Sequence, residues 1–233
     1  YGPDYLIPAP FDPRLITAVP RAVAQAAMDS GVARRPIIDM DAYTAELSAR
    51  LSPTVGTLHE IFDAVRSEPK RVVFAEGEEE KSIRAAHAFQ QAGYGSAVLV
   101  GREERVRETM ERLGLPEDAG LEITNSRLSD QMDAYTDRLY GRLQRKGYLH
   151  RDCVRMVKRD RNVFGALMVE GGDADALVTG LTRSYHTALT QISRVLDPAP
   201  GSQVFGLSLV MRGGQTLFVS DTAVHEVLTP EQI

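Results

Sequence analysis

Residues 70–101 read KRVVFAEGEEEKSIRAAHAFQQAGYGSAVLVG. RVVFAEG (71–77) is a short apolar run that stops at a glycine, the pattern of a strand buried on both faces. EEEKSIRAAHAFQQAG (78–93) then places Ile83, Ala86 and Phe89–Ala92 at helical spacing. SAVLVG (96–101) is again a short apolar run ending in glycine. A strand, a helix and a second strand over so few residues form a crossover unit, which joins parallel strands and predicts an α/β architecture.

The pattern continues on the C-terminal side. REERVRETMERLGL (102–115) predicts a helix with Val106, Met110 and Leu113 on one face, and LEITNS (121–126) a third strand. Asp130–Lys146 predicts a helix carrying Met132, Tyr135, Leu139 and Leu143 on its apolar stripe. Asp152–Met168 predicts a helix with a break near Asp160-Arg161. ALVTG (176–180) is a fourth strand, followed by a helix from Ser184. VFGLSLVM (204–211) and GQTLFVSDT (214–222) read as two strands joined through Arg212-Gly213-Gly214, a hairpin signal. The expected fold is an open, mainly parallel sheet with helices on both faces. A sheet ending at Ile233 would lack a closing helix on one face, so the fold is expected to continue further and to be incomplete here.

Residues 1–53 differ, and are expected to be a helical tail and linker. YLIPAPFDPRL (5–15) is proline-rich and extended, because proline blocks helix and biases the preceding residue. Leu15–Ala33 has helical apolar spacing at Ile16, Val19, Val23, Ala26 and Ala27, with Gly31 as a stop. Asp41–Leu51 predicts a short helix capped by Asp39 or Asp41 and ending before Ser52-Pro53.

The 233 residues suffice for one large or two small domains. A net charge of −5 creates no basic field for nucleic acid. No run reaches the ~18 apolar residues of a membrane span, so no membrane partner is expected. No signal peptide is evident, and the chain does not begin with Met, consistent with a fragment or a processed form. Cys153 is the only cysteine, which excludes internal disulfides and multi-cysteine metal sites. It reads as a buried structural thiol, and a reducing, cytoplasmic location follows.

The first strand-helix turn, EGEEEKS, lacks the glycine spacing of a dinucleotide or nucleotide phosphate loop. Its carboxylates Glu76, Glu78, Glu79 and Glu80 would repel a phosphate and are expected to be solvated groups complementing the helix dipole. Asp173 and Asp175, two apart before a strand, are expected to bond to backbone in a turn. The five histidines show no ligand spacing, so no metal site is expected in the segment. Arg155, Lys158, Arg159 and Arg161 cluster, as do Arg142, Arg145 and Lys146. These are either solvated helix faces, the commoner case, or an electrostatic rim for a polyanion.

The stretch with most to say about function is ADALVTGLTRSYHTALTQISRVLDP (174–198), where the fourth strand passes to a helix through Thr179, Thr182, Arg183, Ser184, Tyr185, His186 and Thr187. Ligands of open α/β sheets sit beyond the carboxyl ends of the strands, and helix N-termini there offer free N–H groups. Ser184 is a helix cap. The candidate anion-pocket residues are Thr179, Arg183, Ser184, Tyr185 and Thr187; a capped helix with polar ends is the alternative.

Two stretches carry a family resemblance. YLIPAPFDPRLITAVPRAVAQAAMDSGVA (5–33) resembles the end of the NAD(P)-binding domain of bacterial malic enzymes. RVVFAEGEEEKSIRAA (71–86), AVLVGR (97–102) and RNVFGALMVEGGDADALVTG (161–180) resemble the phosphotransacetylases. RSYHTALTQISRVLDPAPG (183–201) followed by VSDTAVHE (219–226) is similar to hybrid malic enzymes, which join the two parts in this order. The resemblance implies that 1–53 closes a malic enzyme NAD(P)-binding domain and that 54–233 is the N-terminal and central part of a phosphotransacetylase-like domain.

It further implies a whole enzyme that decarboxylates malate oxidatively to pyruvate and CO₂ with NADP or NAD and Mg²⁺ or Mn²⁺, none of them held by this segment. The segment would bind acetyl-CoA as an allosteric effector, contact the catalytic domain of the same chain and help to assemble a homo-oligomer. The alternatives are a working phosphate acetyltransferase and a ligand-free oligomerisation scaffold. Transferases of the family place Arg-Pro where this chain has Thr190-Gln191, and an arginine near Leu143, ahead of Lys146-Gly147. Losing those phosphate-gripping groups weakens the transferase reading. The catalytic residues of both families fall outside the segment.

Overall fold

The computed structural model describes residues 15–51, 61–116, 119–212 and 215–225. The proline-rich stretch 5–14, Gly213-Gly214 of the expected hairpin turn, and Glu226–Ile233 lie outside the described residues. The chain divides into two units, residues 65–202 and residues 1–64 with 203–233.

Within 65–202, four parallel strands, β1 (Lys70–Phe74), β2 (Gly95–Val100), β3 (Glu122–Thr124) and β4 (Ala176–Val178), lie in the order β3-β2-β1-β4. Alternation along β1 and β2 sends side chains to two cores, as a doubly covered sheet requires. Val72, Phe74, Ala97 and Leu99 pack with Ile83 and Ala86 of α3 (Glu80–Gln91) and with Val106 and Met110 of α4 (Glu103–Arg112). Val73, Val98 and Val100 pack on the other face. Their partners are Tyr135, Leu139 and Leu143 of α5 (Met132–Leu143), Cys153 and Val157 of α6 (His150–Arg159), and Phe164 and Leu167 of α7 (Arg161–Gly171). The open parallel sheet with helices on both faces is thus present.

α7 is the enclosed element: Asn162 through Met168 are all buried. α6 and α7 are separate helices, as the Asp160-Arg161 break predicts, because Asp160 is extended and its carboxylate caps α7 by accepting from the N–H groups of Asn162 and Val163. Helix α8 (Tyr185–Ile192) follows β4, with Ser184 at its N-cap accepting from the Thr187 N–H. The expected helix over 130–146 is an α-helix only to Leu143; Gln144–Lys146 tightens to a 3₁₀ turn closed by Gly147 at φ 87°.

The other unit holds α1 (Leu15–Asp29), α2 (Met40–Leu51) and an antiparallel ladder of β5 (Leu207–Arg212) and β6 (Gln215–Ser220). α1 ends before Gly31, whose φ of 72° suits the expected stop, and Asp39 caps α2 by accepting from the N–H groups of Asp41 and Ala42. Arg21 of α1 pairs with Asp41 of α2 at 3.2 Å.

Asp173 and Asp175 act across the fold rather than within a local turn. The Tyr135 hydroxyl donates to Asp173, and the Arg71 N–H donates to Asp175 at 2.7 Å. The second bond extends the β1–β4 pairing one step beyond its ladder.

Candidate functional site: the carboxyl ends of the parallel strands

β1 is the first strand and lies inside the sheet, with β2 on one side and β4 on the other. The gap between the ends of β1 and β4 is therefore where successive connections leave in opposite directions, the place where open α/β sheets hold ligands. Two loops meet there, 75–79 after β1 and 179–184 after β4.

The loops beyond the strands continue the ladder. Gly77 donates to the Val100 carbonyl at 3.1 Å and Gly101 to the Thr124 carbonyl at 2.9 Å. A Cβ on Gly77 would meet the Val100 nitrogen at 2.7 Å, so only glycine allows this approach.

Glu76 is not a solvated first-turn carboxylate, and the sequence expectation is corrected. It is 4% exposed and lies in the concave backbone of the β4 loop. Its Oε2 accepts from the N–H groups of Gly180 at 2.9 Å and Leu181 at 2.6 Å; its Oε1 accepts from the Thr182 N–H at 2.6 Å and the Thr182 hydroxyl at 2.5 Å. Successive N–H groups converging on one point form an anion hole, and here the anion belongs to the chain itself. Burial alone would raise the carboxyl pKa, but the hydrogen bonds from Thr182, Leu181 and Gly180 outweigh it and hold Glu76 below its ordinary range.

Glu78 is also committed. Arg102 grips it through two nitrogens at 3.0 Å each, and Arg161 adds a third contact at 2.9 Å. The Arg102 hydrogen bonds, opposed by burial and helped by Arg161, hold its pKa at about 2. Of the four glutamates in this turn, these two are held within the protein, Glu76 by backbone and hydroxyl donors and Glu78 by two arginines.

The five candidate residues divide. Thr179 donates its hydroxyl to Asn162 Oδ1 at 2.6 Å, while Asn162 donates from Nδ2 to Gln191 Oε1 at 2.7 Å, locking β4, α7 and α8 together. Gln191, at the place where the resemblance expects Arg-Pro, thus serves the core. Ser184 and Thr187 share a 2.8 Å hydroxyl contact as part of the α8 cap. Tyr185 is half-exposed. Arg183 lines a recess of about 300 Å³ with Glu76, Arg159, Asp160, Arg161, Asn162 and Thr182.

The basic cluster of the sequence divides as well. Arg155 pairs with Asp152 on the exposed face of α6 at 3.2 Å. Lys158, Arg159 and Arg161 line recesses at the strand ends. Sequence reading missed that Arg159 and Arg161 converge with Arg183, because the residues come from two distant segments. In the Arg183 recess both acids are spoken for, Glu76 by the β4 loop and Asp160 by the α7 cap. Burial pushes Asp160 up, against the α7 N–H groups and the charges of Arg183 and Arg194. The recess therefore presents cationic side chains and no described group poised as nucleophile or base.

Among the described residues no group of three or more His, Cys, Asp or Glu side chains converges as a metal site, and no helix is long and apolar enough to cross a membrane.

Comparisons with known proteins bear on the fold and the family. The chain is 55% identical over 234 residues to an NADP-dependent malic enzyme of Rhizobium meliloti, covering 100% of this chain and 31% of that protein. It is 28% identical over 191 residues to a phosphate acetyltransferase of Salmonella typhimurium, covering 82% and 26% respectively. The chain thus spans about a third or less of the curated relatives it matches. The EutD phosphotransacetylase of Staphylococcus aureus shares the fold with a TM-score of 0.66 at 21% identity, over 73% of this chain and 52% of that one. The sequence profile described as phosphate acetyl/butaryl transferase matches residues 57–233, and with a parallel sheet of that architecture beneath the match, the chain belongs to the phosphate acetyl/butaryl transferase family.

Proposed function

We propose that this chain is the phosphotransacetylase-like region of a malic enzyme and that the Arg183 recess receives acetyl-CoA as an allosteric effector, without carrying out acyl transfer. The observation that carries the reading is the recess itself. At the switch point of the sheet, Arg159, Arg161 and Arg183 line one cavity, while the neighbouring acids are tied to the protein. Such a place attracts an anionic coenzyme. The backbone donors that would steady a reacting oxyanion are already taken by Glu76, so the recess supports binding rather than turnover.

The malic-enzyme context rests on the similarity to malic enzymes over the whole chain. In that context the complete protein oxidatively decarboxylates malate with NADP or NAD and a divalent metal, held elsewhere in the protein. This region contacts the catalytic domain and supports a homo-oligomer. Acetyl-CoA then alters activity, in the inhibitory direction, by binding one arrangement of the assembly more tightly than another.

The test is the malate-dependent formation of NADPH or NADH by the intact protein, with and without acetyl-CoA. Inhibition is expected, and Arg183→Ala should raise the concentration giving half-inhibition about tenfold, the loss of one charge-assisted contact. A rate indifferent to acetyl-CoA would refute the effector reading. The family match favours a second reading, phosphate acetyltransferase activity. It requires the intact protein to form acetyl phosphate from acetyl-CoA and phosphate. Absence of both activity and binding would leave an oligomerisation scaffold.

A further inference from the structure

We infer that Asn162 recognises the acyl carbonyl of a thioester in the Arg183 recess, and so sets the preference of that recess for an acylated coenzyme. This role presupposes that acetyl-CoA occupies the recess.

Asn162 is the second residue of α7 and only 3% exposed, yet it lines the recess. A buried amide is costly unless its polar atoms are partnered, and an apolar residue would pack here without that cost. The amide oxygen accepts from the Thr179 hydroxyl at 2.6 Å, and the amide nitrogen donates to Gln191 Oε1 at 2.7 Å. One partner follows β4 and the other lies on α8, so the amide is held from two sides. Its nitrogen carries two hydrogens, and Gln191 takes one. The second has no described partner.

The rest of the lining leaves that hydrogen a distinct task. Glu76 is tied to the β4 loop, Asp160 caps α7, and the Thr182 hydroxyl donates to Glu76. Arg159, Arg161 and Arg183 are charged donors, which make their strongest bonds to anionic oxygens. Among the described lining residues, Asn162 is therefore the uncharged side chain with a donor to spare. A thioester carbonyl is an uncharged acceptor, and a fixed neutral N–H suits it without stripping water from a cation. A site built to bond one polar group rejects an analogue lacking it, because the site's own group is then left buried and unpaired. The bond is to the resting carbonyl, and no bond of the thioester breaks.

The test is isothermal titration of the intact protein with acetyl-CoA and with S-ethyl-CoA, in which a methylene replaces the carbonyl. Wild type should bind acetyl-CoA about tenfold more tightly, the worth of one hydrogen bond. Asn162→Asp keeps the shape and the acceptor for Thr179, and Gln191 can turn its amide to donate, so only the N–H toward the recess is lost. The added charge weakens both ligands alike, and the preference between them should vanish. Gln191→Glu still accepts from the Asn162 nitrogen and should retain the preference. A loss of stability alone would not move this ratio. Should Asn162→Asp fail to fold, Gln191→Leu takes its place: the amide loses an anchor, and the preference should fall below about threefold. Equal binding of the two ligands by wild type, or a preference that survives the variant used, would overturn the role of Asn162 and leave the effector reading standing. Binding of neither ligand would remove both.

Discussion

Replacing Glu76 by Gln exchanges an oxygen for an amide nitrogen and changes almost nothing in volume, so its effect isolates the anion in the β4 loop. The geometry dictates how the amide would sit. With nitrogen at the Oε2 position, two N–H donors, Gly180 and Leu181, would face an NH₂ group. With nitrogen at Oε1, only the Thr182 N–H is opposed, because the Thr182 hydroxyl can rotate to accept. Gln therefore takes the second arrangement. It leaves one buried N–H unsatisfied, costing about 1–3 kcal/mol, and converts two charge-assisted bonds into neutral ones, costing about 1 kcal/mol each. Relief of carboxylate desolvation offsets part of this, and the net local cost is about 2–4 kcal/mol. The assay is amide hydrogen exchange at Gly180, Leu181 and Thr182. Protection should fall by a factor between about 30 and 1,000. Thr182→Val, which removes only the hydroxyl bond, should cost about 1 kcal/mol. Unchanged protection in Glu76→Gln would refute the claim that an internal anion organises this loop.

Gly77→Ala should destabilise the 65–202 unit by about 1–3 kcal/mol in denaturant unfolding, since its Cβ would press on the backbone of Leu99 and Val100 at under 3 Å. Cys153 is fully buried, and burial followed by Asp152 raises its thiol pKa, so a soluble disulfide reagent should label it only at the rate of unfolding. Glu78 has a folded pKa of about 2 against an ordinary 4.5, and Glu76 is lowered too. A lowered carboxyl binds fewer protons folded than unfolded, so its stabilisation is complete above about 4.5 and lost as pH falls toward 2. The melting temperature should decline through that window, and Glu78→Gln should flatten the decline.

The sheet was legible because its signals are local. RVVFAEG and SAVLVG declare buried strands by composition, Ser184 declares its cap three residues from the N–H it accepts, and Asp160 interrupts a helical pattern at the observed break. The site was not legible because its partners are remote. Glu76 meets donors 104 to 106 residues away, and neither spacing nor propensity encodes that meeting. The available signal was a carboxylate at the carboxyl end of a central buried strand, with a second strand-ending glycine, Gly180, whose φ of 115° opens the GLT loop at 180–182. The same limit hid the division of the basic cluster: Arg155, Lys158 and Arg159 share α6, yet only the last two line a recess, because the turn leading into α7 ends beside the β1 and β3 loops.

The central claim is that acetyl-CoA occupies the recess at the ends of β1 and β4. Hydrogen exchange of the full-length protein, measured residue by residue with and without saturating acetyl-CoA, tests it most directly. The account predicts slowed exchange at 159–162 and 179–184, abolished by Arg183→Ala at the same coenzyme concentration. Slowed exchange confined to other segments, or none at all, would contradict it.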